Sequence, residues 1–378
     1  MKLSRSIKVA AVVAAAAVVA ASPAFAGTAL TGAGSSFAAP LIGACKTAYQ
    51  TASGNTVTYN PAGSGTGRSN ADKSIGDFNF SDATYTPAVS SIIHIPVVAA
   101  PVAIAYNLNS TKTLYLSPST LSDIFAGKIT MWNDPAIAAD NNGITSQVVF
   151  KKDAKGAVVK DAKGAPVVLK TIQVKRYFTL PNQKIKVIYR GDGSGTTQNL
   201  VNMFIKKVPT TWTKASSSTF TNVFPGSIND AANLGRFQAA TGSSGVAALA
   251  AKTKYSITYV EASYAKAQNL GLAAIKNAAG LYALPDAGGT AAFLNAGTVA
   301  ADGKMTFNYE TADPAAYILG IVSYALVDTK TKNAADVKSF LTAILDPKCP
   351  NTDPSLQYST ITGDLLKADQ ALIAKIGA

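Results

Sequence analysis

Three turns rich in glycine, serine and threonine stand out in the sequence, and each leads directly into a segment with helical spacing. They lie at residues 32–40, 63–67 and 190–197. The second turn follows a strand-like segment at 57–59, and the third follows another at 185–189. Strand-like and helical segments alternate in this way along the rest of the chain, and this alternation predicts an α/β fold.

Helix starts of this kind can bind anions. The first N–H groups of a helix have no intrahelical partner, and the helix dipole makes that end positive. One such turn is most simply a helix cap, but three in one chain favour convergence on a single anion. The third turn also contains Arg190, whose planar guanidinium can bind two oxyanion oxygens, and Asp192, which could hold that guanidinium in place.

Asp82, in the segment 78–83, makes the identity of the anion more specific. A buried carboxylate beside an anion is repulsive unless the anion carries a proton that the carboxylate can accept. Phosphate carries such a proton near neutral pH and sulfate does not, so sulfate would face an unpaired buried carboxylate. If Asp82 reaches the site, it predicts selectivity for phosphate.

Few residues are available for other kinds of chemistry. One histidine and two cysteines are too few for a zinc finger, a Cys/His metal cluster or an iron–sulfur centre. We therefore expect no metal, no cofactor and no catalytic residue. None of the three turns has the P-loop pattern or the complete dinucleotide-binding pattern. His94 lies in an apolar strand-like segment and is interpreted as a structural residue.

The first 26 residues have the features of a secretory signal peptide. Lys2, Arg5 and Lys8 form a basic head, an apolar run follows at 9–21, and residues 22–26 supply an A-x-A cleavage site. The apolar run is too short to span a membrane. No cysteine stands at the cleavage site to carry a lipid anchor. The signal peptide at 1–26 thus predicts a soluble protein of the periplasm or a secreted one.

The formal net charge of +13 is typical of nucleic-acid-binding proteins, but its distribution argues against that class. Three of these charges belong to the signal peptide, and residues 151–176 contain eight Lys or Arg and two Asp, a net charge of +6. The surrounding segment, 148–176, repeats Asp-Ala-Lys-Gly-Ala from Asp153 and from Asp161. These turn signals predict a two- or three-stranded surface meander. We expect no nucleic-acid partner.

Cys45 and Cys349 are interpreted in the light of export. An even pair of cysteines in an oxidising compartment is more often bonded than free, which favours a bridge between them; two buried thiols are the alternative. The bridge would place both ends of the chain in one domain.

Several motifs, in their order along the chain, resemble the phosphate-binding proteins of ABC phosphate importers, the PstS-like proteins. They are the segments 30–40, 63–67, 80–83, 121–137, 190–196, 245–248 and 259–266. The resemblance implies a periplasmic-binding-protein type II fold, α/β with two lobes, a two-stranded hinge and a central cleft. In that fold we expect lobe 1 at 27–100 plus 262–378, and lobe 2 at 101–261 with the basic meander as an insertion at about 148–176.

The resemblance also implies a set of ligand residues. The phosphate-binding positions match Ser36, Phe37 (through its backbone N–H), Ser64, Asp82, Arg190, Ser194, Gly195 and Thr196. Asp82 would accept the phosphate proton, and Asp192 matches the residue that steers the arginine.

The implied function is extracytoplasmic binding of inorganic phosphate, by closure of the lobes around the anion, and its delivery to the membrane permease of an ABC importer. We expect a monomer that is not an enzyme. One alternative is a secreted phosphatase on the same fold, although the sequence supplies no metal site or activated nucleophile. The other is a surface or adhesion protein that uses the basic meander.

Overall fold

The computed structural model describes residues 27–153, 158–162 and 166–378. The predicted signal peptide at 1–26 lies outside these residues, as do residues 154–157 and 163–165 of the tandem repeat.

Strands and helices alternate along the described chain, as the sequence predicts. The strands are β1 (Ala29–Gly34), β2 (Thr56–Asn60), β3 (Phe78–Ser81), β4 (Ile92–Tyr106), β5 (Tyr115–Leu116), β6 (Gly143–Phe150), β7 (Val168–Arg176), β8 (Lys186–Arg190), β9 (Phe237–Ala240), β10 (Ser256–Glu261), β11 (Gly271–Leu272), β12 (Ala274–Lys276), β13 (Tyr282–Ala283), β14 (Thr298–Val299), β15 (Met305–Thr306) and β16 (Gly320–Asp328). The helices are α1 (Ala39–Ser53), α2 (Ser64–Asp72), α3 (Pro118–Phe125), α4 (Pro135–Asn141), α5 (Gly195–Lys207), α6 (Phe220–Val223), α7 (Gly242–Lys252), α8 (Ala262–Ala267), α9 (Ala287–Asn295), α10 (Ala334–Leu345), α11 (Lys348–Asn351) and α12 (Gly363–Ala374), with a short 3₁₀ helix at Pro354–Leu356.

A mixed sheet runs through both halves of the molecule in the order β2-β1-β3-β16-β4-β10-β8-β9, and β11 also pairs with β4. The long strand β4 belongs to both halves. Its residues 92–101 pair with β16, and residues 102–106 pair with β10. The half with β1, β2 and β3 is lobe 1, and the half with β8, β9 and β10 is lobe 2. This architecture is the predicted two-lobed α/β fold.

The strand β4 includes the apolar strand-like segment around His94 and continues without a break to Tyr106. All but one of its 15 residues are buried. Its two prolines lie where the pairing is irregular or ends. Pro96 lies next to a register shift between Ser323 and Tyr324, and Pro101 pairs with Gly320, the first residue of β16. Proline cannot donate to a strand ladder, and these positions tolerate it.

The strand directions bring the predicted turns together. In lobe 1, β1 pairs in parallel with β2 and with β3, so the three strands end at one edge. In lobe 2, β8 pairs in parallel with β9 and β10. The carboxyl ends of parallel strands are where open α/β folds bind their ligands, and the turns at 32–40, 63–67 and 190–197 lie at these ends.

The predicted disulfide bridge is confirmed. Cys45 in α1 is bonded to Cys349 in α11, and their Cα atoms are 5.3 Å apart. Because the two cysteines are separated by 304 positions in the sequence, the bridge ties the C-terminal region of the chain to its first helix.

The basic segment forms an antiparallel hairpin of β6 and β7, which begins at Gly143 rather than at 148. Its base is attached to the body of the protein by aromatic contacts. The Arg176 guanidinium packs on the paired rings of Tyr115 and Tyr282, 4.6 and 4.3 Å from their centroids. Phe150 packs against two buried alanines at 292 and 315. Side-chain packing therefore holds the hairpin against the rest of the protein, in addition to the chain connections at its base.

Candidate functional site

Each of the three turns has a serine at or just before the first residue of a helix. Ser36 precedes α1, Ser64 is the first residue of α2, and Ser194 caps α5, its Oγ accepting a hydrogen bond from the N–H of Thr197 at 3.1 Å. Gly63 has a φ of 94°, and a Cβ at this position would lie 2.5 Å from a carboxylate oxygen of Asp192. The glycine therefore lets the second turn approach the third.

Asp82 follows β3, is 3% exposed and is surrounded by hydroxyl groups. Its Oδ1 accepts hydrogen bonds from Ser35 and, at 2.7 Å, from Ser323. Its Oδ2 accepts from Ser64 at 3.1 Å and from Thr196 at 3.3 Å. Burial raises the pKa of the Asp82 carboxyl above its usual value, and the hydrogen bonds from Ser35 and Ser323 oppose that rise. Because Thr196 belongs to lobe 2, Asp82 is contacted from both lobes.

Arg190, the last residue of β8, is 2% exposed and forms a two-point ion pair with Asp192. Its Nε donates to Asp192 Oδ1 at 2.7 Å, and its Nη2 donates to Oδ2. The N–H of Gly242, at the start of α7, donates to the same carboxylate at 3.0 Å. Burial alone would lower the pKa of Arg190, but the hydrogen bond and charge of Asp192 raise it above its usual value. The guanidinium is therefore charged and fixed in direction.

A second network joins the first turn to lobe 2. The Oγ atoms of Ser36 and Ser243 are 2.9 Å apart, and the backbone N–H of Ser243 donates to Ser36 Oγ at 3.1 Å. The Ser243 hydroxyl donates to Oε1 of Glu261 at 3.1 Å, and Nη1 of Arg190 lies 3.4 Å from Ser243 Oγ. Burial raises the pKa of Glu261 to about 7. This network links α7 and the end of β10 to the turn before α1.

The two lobes are in direct contact around these groups. The N–H of Gly65 in α2 donates to the carbonyl of Gly193 at 2.8 Å. The Arg68 guanidinium donates to the side chains of Gln198 at 3.2 Å and Ser218 at 2.8 Å. The structure is therefore a closed arrangement of the lobes.

The sequence-predicted ligand positions come together in two hydrogen-bond networks between the lobes. One joins Ser64, Asp82 and Thr196, with Gly195 against them, and the other joins Ser36, Arg190 and Asp192. Phe37 and Ser194 are next to these residues in the sequence. Ser36, Phe37, Ser64 and Asp82 lie on lobe 1, and Arg190, Asp192, Ser194, Gly195 and Thr196 lie on lobe 2. All of them are buried except Asp192, which is half-buried. The cluster is polar and contains one arginine, two carboxylates and four hydroxyls among these positions.

Other residues of the cluster were not singled out from the sequence. They are Ser35, Asn199, Ser243, Glu261 and Ser323. The signal for Ser243 was available, because residues 241–245 read Thr-Gly-Ser-Ser-Gly at a helix start and so resemble the other three turns. Glu261 at the end of β10 and Ser323 within β16 are buried polar residues, and a buried polar side chain requires a partner.

His94 lies outside the cluster. Its ring packs against those of Tyr85 and Tyr324, with centroids 5.4 and 5.8 Å away, and burial lowers its pKa to about 4. Within the described residues no group of three or more His, Cys, Asp or Glu is arranged to hold a metal ion. In the same part of the chain no helix combines the length and apolar character that crossing a membrane requires.

Comparison with known proteins places the chain in a family. A family model described as a PBP superfamily domain matches residues 19–348. A phosphate-binding protein PstS of Pasteurella multocida is 32% identical over 258 residues, or 67% of this chain and 62% of the relative, so the chain spans less than two thirds of that relative's length. A phosphate-binding protein PstS of Xylella fastidiosa is 30% identical over 319 residues, which cover 82% of this chain and 75% of the relative.

Solved structures agree on the fold. A high-affinity periplasmic phosphate-binding protein, solved with bound phosphate, matches with a TM-score of 0.64 and 18% identity over 92% of this chain and 93% of its own. The shared fold is two-lobed and of the periplasmic-binding-protein type II class. The chain therefore belongs to the PBP superfamily and, within it, to the family of PstS phosphate-binding proteins.

Proposed function

We propose that this protein binds inorganic phosphate outside the cytoplasm and delivers it to the membrane permease of an ABC importer. Its relatives are named as phosphate-binding proteins, and a binding protein with the same fold was solved with phosphate bound. These likenesses support a binding protein rather than a secreted phosphatase or a surface protein.

The observation that carries the proposal is the position of Asp82 among hydroxyl groups of both lobes. Ser35 and Ser323 donate to its Oδ1, whereas the donors to its Oδ2 among the described residues are Ser64 and Thr196, at 3.1 and 3.3 Å. When phosphate enters, these two hydroxyls turn to donate to phosphate oxygens, and the P–OH group donates its proton to Oδ2. Sulfate has no proton to donate at neutral pH, so Asp82 rejects it.

The remaining negative charge of phosphate is met by Arg190 and by helix N-termini. We assign ligand roles to the hydroxyls of Ser36, Ser64, Ser194 and Thr196, to the backbone N–H groups of Phe37, Gly195 and Thr196, and to the Arg190 guanidinium. The starts of α1, α2 and α5 supply unpaired N–H groups and a positive dipole end. Asp192 steers Arg190 through its two-point ion pair.

Delivery to a permease follows from closure of the lobes around the anion. We place lobe 1 at 27–100 plus 262–378 and lobe 2 at 101–261. The protein acts as a monomer in the periplasm or as a secreted protein, after export directed by residues 1–26, and it needs no cofactor. The permease would then recognise the loaded protein by the closed arrangement of its lobes.

Calorimetric titration of the mature protein with phosphate and with sulfate tests this proposal. We expect phosphate to bind at least about a hundredfold more tightly than sulfate, which corresponds to about 3 kcal/mol. The substitution Asp82→Asn narrows that gap, because an amide can donate to sulfate and accepts the phosphate proton poorly. Asp364→Asn, on the exposed surface of α12, is the control and leaves both affinities unchanged. Failure to bind phosphate would overturn the function, and equal affinity for both anions would overturn the role of Asp82.

A further inference from the structure

Glu261 is a buried carboxyl group beside the proposed phosphate site that has no assigned role there. It is the last residue of β10 and is 1% exposed. Its Oε1 accepts a hydrogen bond from Ser243 at 3.1 Å, and its Oε2 has no hydrogen-bond partner in the part of the chain that the structure describes. A buried carboxylate with one unpaired oxygen is costly to keep ionised.

The charges near Glu261 do not offset its own. The titratable and charged groups that face it are Arg190 at the end of β8, Asp82 after β3, Tyr264 in α8 and Tyr358 near the C-terminus. The Arg190 guanidinium is already paired with a carboxylate, and Asp82 must be ionised to accept a proton from phosphate. An entering phosphate adds further negative charge to this buried cluster, and like charges repel strongly where water is excluded.

Resting on the function proposed above, we propose that Glu261 is a proton-binding and positioning residue of the phosphate site. It takes up one proton from solvent as phosphate enters, and through Ser243 it directs the Ser36 hydroxyl toward the anion.

The hydrogen bonds that join Glu261, Ser243 and Ser36 can form with the donors and acceptors arranged in either of two opposite orders. With Glu261 ionised, the Ser243 hydroxyl donates to Glu261, and the Ser36 hydroxyl can donate to Ser243 Oγ, 2.9 Å away. With Glu261 protonated, the carboxyl donates to Ser243, and the Ser243 hydroxyl donates to Ser36. Ser36 Oγ then accepts from the hydroxyl and the N–H of Ser243, which leaves its own proton for a phosphate oxygen. Protonation of Glu261 therefore reverses the chain of donors and frees a phosphate ligand.

The acid–base behaviour of Glu261 agrees with this role. Burial raises its pKa to about 7, so the carboxyl is partly ionised near neutral pH before phosphate binds. Nearby negative charge raises the pKa of an acid further, so phosphate binding draws a proton onto Glu261. The free energy needed to protonate Glu261 increases as the pH rises above 7, and phosphate binding weakens accordingly.

The test compares the phosphate affinity of the wild type with that of Glu261→Gln between pH 6.5 and 8.5. The amide of Gln donates to Ser243 as a protonated carboxyl would, and it does not titrate. Phosphate itself titrates in this range, but equally for both proteins, so the ratio of the two dissociation constants isolates Glu261. We expect similar affinities at pH 6.5 and a wild-type affinity several-fold to about tenfold weaker than that of the variant at pH 8.5. A ratio that does not change with pH would overturn the proposal.

A second variant distinguishes proton uptake by Glu261 from its role in orienting the Ser36 hydroxyl. Glu261→Met also removes the titrating group, but its side chain cannot donate a hydrogen bond to Ser243. We therefore expect it to bind phosphate more weakly than Glu261→Gln at every pH. The ratio of the dissociation constants of these two variants should not change with pH. The Met variant also serves as the test if the Gln variant does not fold. Equal affinities of the Met and Gln variants would overturn the positioning role. If the wild type does not bind phosphate at pH 6.5, the proposed function itself fails, and the two failures are thus distinguishable.

Discussion

Gly195 and Asp82 meet across the boundary between the two lobes. A Cβ added to Gly195 would lie 2.7 Å from the Asp82 Cβ, 2.7 Å from the Ser64 Oγ and 2.9 Å from the backbone nitrogen of Ala83. Real Cβ atoms do not come this close to backbone atoms. The glycine at the start of α5 is therefore the point at which lobe 2 reaches the carboxylate of lobe 1.

The substitution Gly195→Ala should weaken phosphate binding without unfolding the protein. The extra methyl group holds the lobes apart, so the hydrogen bonds that depend on closure are lost. We expect an affinity at least about tenfold lower, or about 1.4 kcal/mol, measured by calorimetry, and a melting temperature close to that of the wild type without phosphate. The control is Gly245→Ala in α7, where the nearest atom to an added Cβ is at an ordinary 3.7 Å. Unchanged phosphate affinity of Gly195→Ala would contradict the contact.

Ser323→Ala should raise the pH at which phosphate binding is lost on the acid side. The Ser323 hydroxyl donates to Oδ1 of Asp82 at 2.7 Å and favours the ionised carboxylate. Without it, the pKa of Asp82 rises further, so less carboxylate is available to accept the phosphate proton at low pH. We expect a loss of about 1 kcal/mol in binding free energy near pH 5 and a smaller loss near pH 8, measured as a pH profile of affinity.

The control for this prediction is another serine of the same protein. The Ser263 hydroxyl is buried and has no hydrogen-bond partner within the described residues, so Ser263→Ala should leave the pH profile unchanged. A uniform loss of affinity at all pH values in Ser323→Ala would indicate a packing defect instead of an effect on Asp82.

Local sequence patterns predicted the part of the site that local structure creates. Ser36, Ser64 and Arg190 lie in strand–turn–helix segments, where glycine and hydroxyl residues at a helix start already indicate an anion site. The pairing of β3 with β16 brings Ser323 to Asp82 from 241 positions away. The sequence carries no local signal for such a contact, because the order of strands in the sheet creates it.

The role of Glu261 is also a product of long-range structure. β10 pairs with β4 and β8, and this placement sets the carboxyl beside Ser243 of α7. The hairpin is a similar case. Its start at Gly143 is fixed by pairing with Arg176, whereas the charge pattern alone indicated only the later part of the segment. The fold class was predictable because alternation of strands and helices is visible along the chain.

Breaking the Cys45–Cys349 bridge should lower stability far more than it changes phosphate binding. In the chain-entropy account, a bridge that closes a loop of this length stabilises the folded protein by about 6 kcal/mol. We expect the double variant Cys45→Ser, Cys349→Ser to unfold at a clearly lower denaturant concentration and to bind phosphate within about threefold of the wild type. Reductant should shift the wild type in the same direction and leave the double variant unchanged. Equal denaturation midpoints for the two proteins would contradict the prediction.

Asp369→Asn should stabilise the protein increasingly as the pH rises. Asp369 in α12 is fully buried, neither of its carboxylate oxygens has a hydrogen-bond partner within the described residues, and burial raises its pKa to about 9. The unfolded chain ionises this group near pH 4, so the folded state holds an extra proton between about pH 4 and 9, and stability falls as the pH rises through that range. Asparagine does not titrate, so the variant does not lose stability in this way. The difference in free energy of unfolding, variant minus wild type, should therefore increase by about 2–4 kcal/mol between pH 5 and 8, measured by urea unfolding. Asp364→Asn on the exposed face of the same helix is the matched control and should show no such trend; an Asp369→Asn difference that is constant with pH would show that the folded protein does not hold that proton.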